Sequence, residues 1–116
     1  MTTATINKIK CSLTIDTEDL EDLVDNALRT SQYWYTSVVG YSRDNYFCYI
    51  INMDMEDGKD LQTCRLTKRK FLKGLQQFIE TYGCKIDEGL IDTCSIDGCD
   101  CDLILQFALF GEQVFA

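Results

Sequence analysis

The chain contains no histidine and no proline. The first absence removes the commonest general base and the commonest metal ligand. A Ser or Cys nucleophile would then need Lys, Asp or Glu beside it, and no such pair stands at a recognisable spacing, so the residues argue against an enzyme. The second leaves every turn to Gly, Asn, Asp and Ser. No run nears the ~20 apolar residues of a membrane span, and residues 1–10 lack the apolar stretch of a signal peptide. The expected compartment is therefore the cytoplasm, with no membrane association. Base is also scarce, at 11 Lys and Arg against 19 Asp and Glu, a formal charge of −8. Direct binding to phosphate backbones is disfavoured, because it depends on neutralising phosphates with cations. A partner that is itself basic, such as a nucleic-acid-binding effector, suits this charge.

At 116 residues the chain is expected to form a single globular domain over 1–116, since two halves would each be too small to bury a core. Ile9, Cys11, Leu13 and Ile15 alternate with Lys10, Ser12 and Thr14, the period of a half-buried strand. Asp16 or Thr17 then opens a helix with Glu18, Asp19, Glu21 and Asp22 at the positive end of its dipole. Leu20, Leu23, Val24, Ala27 and Leu28 share one face of it. Aromatic and β-branched residues over 33–39 predict a strand. A second strand follows over 46–53, and a third over 61–66 returns after the Asp57-Gly58 turn signal. Thr67 caps a second helix with the stripe Phe71, Leu72, Leu75, Phe78 and Ile79, and Gly83 ends it. Residues 84–99 carry no sustained period. The last helix is expected from about Asp100 to Gly111. The order β-α-β-β-β-α-α reads as an α+β fold, an antiparallel sheet of about four strands with two to three helices on one face.

Three groups of residues are candidates for recognition or chemistry. Tyr33, Trp34, Tyr35, Tyr41, Tyr46, Phe47 and Tyr49 crowd one stretch, and alternation along strands cannot bury all of them against one helical layer. Either some rings form an exposed binding face, or they pack on both faces and beneath loops. Arg65, Lys68, Arg69, Lys70 and Lys73 form the basic cluster, at a helix start where an anion would also meet free backbone amides. The alternative is a solvated face balancing the acidic excess. Among the seven cysteines, Cys84, Cys94, Cys99 and Cys101 could close a tetrahedral zinc site, but the spacing C-x9-C-x4-C-x-C lacks paired C-x2-C knuckles. Ordinary thiols in a reducing compartment, with no cofactor, are the main reading. Asp97, Asp100 and Asp102 do not fit a calcium loop; capping of the last helix accounts for Asp100 and Asp102.

The most apolar stretch is the last, Asp100-Cys101-Asp102-Leu103-Ile104-Leu105-Gln106-Phe107-Ala108-Leu109-Phe110-Gly111-Glu112-Gln113-Val114-Phe115-Ala116. It should be docked on the rest of the chain. Gln106, amid apolar neighbours, is expected to bond a backbone group, and Val114 and Phe115 to fold back on the helix or lie across a partner. More apolar surface here than a small sheet covers also suggests a homodimer. This stretch resembles the ending D-x-D-x-I-x-Q-x-x-L-F-G-E-x-V-Y-G of a group of small uncharacterised bacteriophage proteins, with Phe115-Ala116 standing for Tyr-Gly. The segment Leu23 to Trp34, with Val24, Ala27, Leu28 and the pair Tyr33-Trp34, is similar to their other recurring stretch, an apolar helix followed by Tyr-Trp. The resemblance implies a phage origin and no particular mechanism. The expectation is a non-enzymatic inhibitor of a host protein, for instance a CRISPR or other anti-phage defence component. The alternatives are a nucleotide or small-molecule sequestering protein using Arg65, Lys68 and Arg69, and a virion or assembly component.

Overall fold

A computed structural model describes residues 2–6, 9–35, 37–42, 47–51, 63–87 and 89–115. Tyr46 and the Asp57-Gly58 turn lie outside them. The elements in order are β1 (Thr2–Ile6), β2 (Ile9–Leu13), α1 (Thr17–Thr30), β3 (Ser37–Ser42), β4 (Phe47–Ile51), β5 (Thr63–Leu66), α2 (Lys68–Tyr82), β6 (Ile86–Asp87), β7 (Leu90–Ile91) and α3 (Gly98–Phe110), with a 3₁₀ turn at Thr93–Ser95 before α3. The fold is α+β.

The strands do not all join one sheet. β3, β4 and β5 form the antiparallel meander read from the sequence, with Tyr49 opposite both Val39 and Arg65. β2 instead pairs with β1, from Thr2 opposite Leu13 to Ile6 opposite Ile9. The β1 segment Thr-Thr-Ala-Thr-Ile has the β-branched composition of a strand, but its alternation rests on Ala4 and Ile6 alone, too short a pattern for periodicity to mark it. β6 and β7 make a two-residue ladder, and one parallel bridge, Thr14 to Leu90, ties it to the end of β2. Thr14 N–H donates to the Gly89 carbonyl at 2.7 Å, and Ile91 N–H donates to the Thr14 carbonyl at 2.8 Å.

The core lies between helices. α1 contributes Leu20, Leu23, Val24 and Ala27, and α2 contributes Phe71, Leu75, Phe78 and Ile79. Both pack against α3, where Cys101, Asp102, Ile104, Leu105, Gln106 and Phe107 are buried. A run of four consecutive buried positions, 104–107, goes round the whole helix, so α3 is enclosed and has no single apolar stripe. Each fully buried Leu, Ile or Phe of this kind stabilises by roughly 1.5–3 kcal/mol. Much of the apolar surface of the last segment is covered within the chain, by α1, α2 and residues 112–115, while Leu103, Ala108, Leu109 and Phe110 stay partly exposed.

Local chemistry fixes the helix ends. At α2 the Thr67 hydroxyl accepts from Lys70 N–H at 3.2 Å, as its sequence predicts, and Gly83 ends the helix with φ +78°. Lys68, Arg69 and Lys70 oppose the dipole there, and the Lys70 ammonium folds back on the Arg65 carbonyl at 2.8 Å. α3 starts two residues earlier than Asp100: Asp97 is the cap, and Asp97 and Asp100 form a reciprocal capping box. Gly111 closes it in the left-handed conformation. Gly74 is where α2 and α3 touch. A Cβ there would sit 2.5 Å from the Ile104 carbonyl oxygen and 2.7 Å from Ala108 N.

Candidate binding site

The turn leaving α1 builds the site. Ser31 N–H donates to the Ala27 carbonyl at 3.0 Å and Trp34 N–H to the Ser31 carbonyl at 3.1 Å, so 31–34 coil tightly before β3 begins at Ser37. The strand expected over 33–39 therefore starts four residues late. The cause is tertiary, because three side chains of this turn reach for one carboxylate. Asp102 Oδ1 accepts from the Ser31 hydroxyl at 2.7 Å and from the Trp34 indole at 2.8 Å. Its Oδ2 accepts from the Tyr33 hydroxyl and from Gln106 Nε2, the latter at 3.2 Å. Four donors fill the four acceptor positions of a carboxylate. Asp102 is 9% exposed. It is therefore a buried hub, where the sequence suggested a helix-end charge.

Gln106, fully buried, carries the network onward. Its Oε1 accepts from the backbone N–H of Val114 and of Phe115, both at 2.8 Å, and its Nε2 donates to the Phe115 carbonyl at 3.2 Å. The expected backbone partner is the protein's own last segment. Phe115 is thereby laid on Trp34, centroids 4.9 Å apart and planes 3° apart, with Phe110 edge-on to both rings. Trp34 and Tyr35, candidates for an exposed aromatic face, are core residues. The Tyr35 hydroxyl donates to the Leu28 carbonyl. Tyr33 does present its ring to solvent, at 54% exposed. Its hydroxyl is turned inward, so burial first, and then the hydrogen bond to Asp102 and the charge behind it, push its pKa up to about 12. Tyr49 lies on β4, and its ring is outside what the structure describes.

A groove of about 730 Å³ opens beside this hub. Thr30 and Tyr33 line it from the α1 side, Cys99 and Leu103 from α3, with Asp97 and Asp102 carrying its charge. The sequence reading missed Ser31 and the inward role of Asp102. One signal was available: Asp102 stands four residues before Gln106, on the same helical face, so an inward Gln106 implies an inward Asp102.

The remaining candidates fall elsewhere. Arg65, Lys68 and Arg69 are exposed around the junction of β5 and α2. A cavity of about 420 Å³ beside α2 is lined by Lys70 and Lys73 together with Glu80, and Lys68 and Arg69 stand outside it. Cys94 and Cys99 are exposed, Cys84 is half-buried and Cys101 is buried. Burial, with the charges of Asp100 and Asp97, pushes the Cys101 thiol up to about 12, and burial also raises Cys84 and Cys64. Among the described residues no three Cys, Asp or Glu side chains are grouped to hold a metal ion. No described helix is long and apolar enough to cross a membrane.

Fold and site together define an α+β domain whose last helix carries a buried Asp-Gln pair, clamping the turn after α1 on one side and the final residues on the other. Residues 31–34 and 114–115 are the two segments held by that pair. Comparison of the chain with protein-family models, curated proteins and solved structures finds no match.

Proposed function

We propose that this chain is a non-enzymatic binding protein of phage origin that inhibits a host protein by forming a stoichiometric complex, the target being a basic, nucleic-acid-binding component of anti-phage defence. The observation that carries the reading is the outer face of α1. Glu18, Asp22 and Asp25 are exposed there, Asp19 and Glu21 are partly so, and Arg29 is the helix's one base. This acidic face leads along the helix to the exposed ring of Tyr33 and the groove. A mainly acidic surface, broken only by Arg29 on the way to a fixed aromatic, suits protein recognition: charge speeds encounter, and the ring supplies contact area at little entropic cost. The hub itself favours binding over catalysis. All four acceptor positions of Asp102 are used within the protein, so it has no position left from which to take a substrate proton.

The test is capture with the tagged protein from host lysate at low and high salt, with mass spectrometry of what is retained. One protein in stoichiometric amount, released by salt, is the expected result. Retention of a nucleotide and no protein would refute it. That outcome would favour a second reading, nucleotide sequestration, which draws on the clustering of Arg65, Lys68 and Arg69 at the start of α2. It requires that Lys68→Ala with Arg69→Ala abolish nucleotide retention in a folded protein.

A further inference from the structure

Among the described residues, Asp102 is a buried carboxylate without a hydrogen-bonded counter-ion. Its partners are two hydroxyls, an indole and an amide, all neutral. They stabilise the charge by hydrogen bonding but leave its field in place, and that field reaches the groove that Asp102 lines. Asp97 adds a second, exposed carboxylate to the groove, and Asp100 stands one turn into the same helix. The positive end of the α3 dipole points the other way, but it amounts to roughly half a charge, against one full charge on each of the three carboxylates. Arg29, at the end of α1, is near enough for its charge to act on Cys101, but it is bound to Asn26 at 3.2 Å, does not line the groove and sets one positive charge against three carboxylates. The groove is therefore an apolar slot in a net negative field. Its aromatic wall is rigid, because the Tyr33 hydroxyl is bound to Asp102 while the ring faces out.

We propose that this groove receives an arginine side chain of the partner protein, its guanidinium stacked on Tyr33 and paired with Asp97, its methylene stem against Leu103. This rests on the reading of the chain as a binder of a basic protein and names the contact through which it binds. Arginine fits better than lysine for two reasons. A guanidinium is flat and weakly hydrated, so it stacks on an aromatic face and loses less water on entry. Its fork also engages a carboxylate at the rim bidentately, as an ammonium cannot.

The probe is the tripeptide acetyl-Ala-Arg-Ala-amide, titrated into the ¹⁵N-labelled protein at low salt, with lysine and citrulline peptides as comparisons. Saturable shifts at Thr30, Tyr33, Gly98, Cys99 and Leu103 are expected, with arginine stronger than lysine and citrulline silent. Asp97→Asn keeps a good helix cap and should weaken arginine binding by about twofold to fivefold, the range of one solvent-exposed ion pair. Cys99→Arg places a tethered guanidinium at the groove and should abolish the shifts. Shifts confined to 18–25, equal response to lysine and arginine, or no saturable response each overturn the proposal. Failure of the broader reading looks different. If lysate capture yields a protein partner that Asp97→Asn and Cys99→Arg hold as tightly as the parent chain, the groove proposal falls and the binding protein stands. If capture yields no protein, the broader reading falls, and the titration still decides whether the groove takes arginine.

Discussion

Replacing Asp102 by Asn tests the hub with almost no change in shape. The amide oxygen can keep the Ser31 and Trp34 bonds, now to a neutral acceptor, but the amide nitrogen then faces two former donors. The Tyr33 hydroxyl can rotate and accept, whereas Gln106 Nε2 cannot, and it retains only the Phe115 carbonyl at 3.2 Å as a strong partner. Hydrogen bonds to charged groups are worth about 1.5–3 kcal/mol each against about 1 for neutral ones. Weakening two, reversing the Tyr33 bond and turning the Gln106 bond into a donor–donor contact should cost about 3 kcal/mol. Acting against this, a neutral amide is less costly to bury than a carboxylate. The four bonds should outweigh that gain, because removing charge from a satisfied site leaves its donors without an equal partner. Urea unfolding measures the sum. Trp34, the chain's single tryptophan, reports on the site itself, and its emission should shift to the red as Gln106 loosens and Phe115 lifts from the indole. An Asp102→Asn protein as stable as the parent, with unchanged emission, would show that desolvation dominates and that the hub does not hold the turn and the last segment.

Phe115→Ala should cost about 2 kcal/mol through lost burial and stacking, with a similar red shift but no change at Ser31; amide shifts separate the two variants. Gly74→Ala should lower stability by about 2 kcal/mol even though alanine favours a helix by about 1 kcal/mol, because its methyl meets backbone at 2.5 Å that no rotamer change can relieve; a unchanged or raised urea midpoint would refute the close approach of α2 and α3. Alkali should unfold the protein early. The Cys101 thiol and Tyr33 hydroxyl stay protonated in the fold to about 12, against ordinary values of 9.0 and 10.0. Between those values the unfolded chain binds fewer protons, so stability is full below pH 9 and falls as pH rises to 12. Cys101→Ala should remove the part of that loss beginning near pH 9, and a midpoint flat from pH 8 to 11 would contradict it. In the native protein a thiol reagent should label Cys94 and Cys99 at once and Cys101 only on unfolding, as peptide mapping can check.

Local patterns were legible wherever a local rule acts. The two amphipathic helices α1 and α2, the Thr67 cap, the Gly83 and Gly111 stops and the strands of the β3, β4 and β5 meander follow from periodicity, capping and β-branched or aromatic composition over a few residues. So does the inward pull on Gln106, since an amide amid apolar neighbours must find a partner. The tertiary structure alone decided what those features meet. Tyr33 and Trp34 have strand composition, yet their side chains are drawn to Asp102 nearly seventy positions away, and no window around them contains that carboxylate. Asp102 itself obeys helix-start statistics equally well facing out or in. Only the packing of α1 on α3 turns it inward, and only then do Ser31, Tyr33 and Trp34 acquire their partner and the groove its charge. The partner of β2 is, by contrast, local, since only two residues separate β1 from β2, and it is illegible in the sequence because Ala4 and Ile6 alone are too short a pattern to mark a strand.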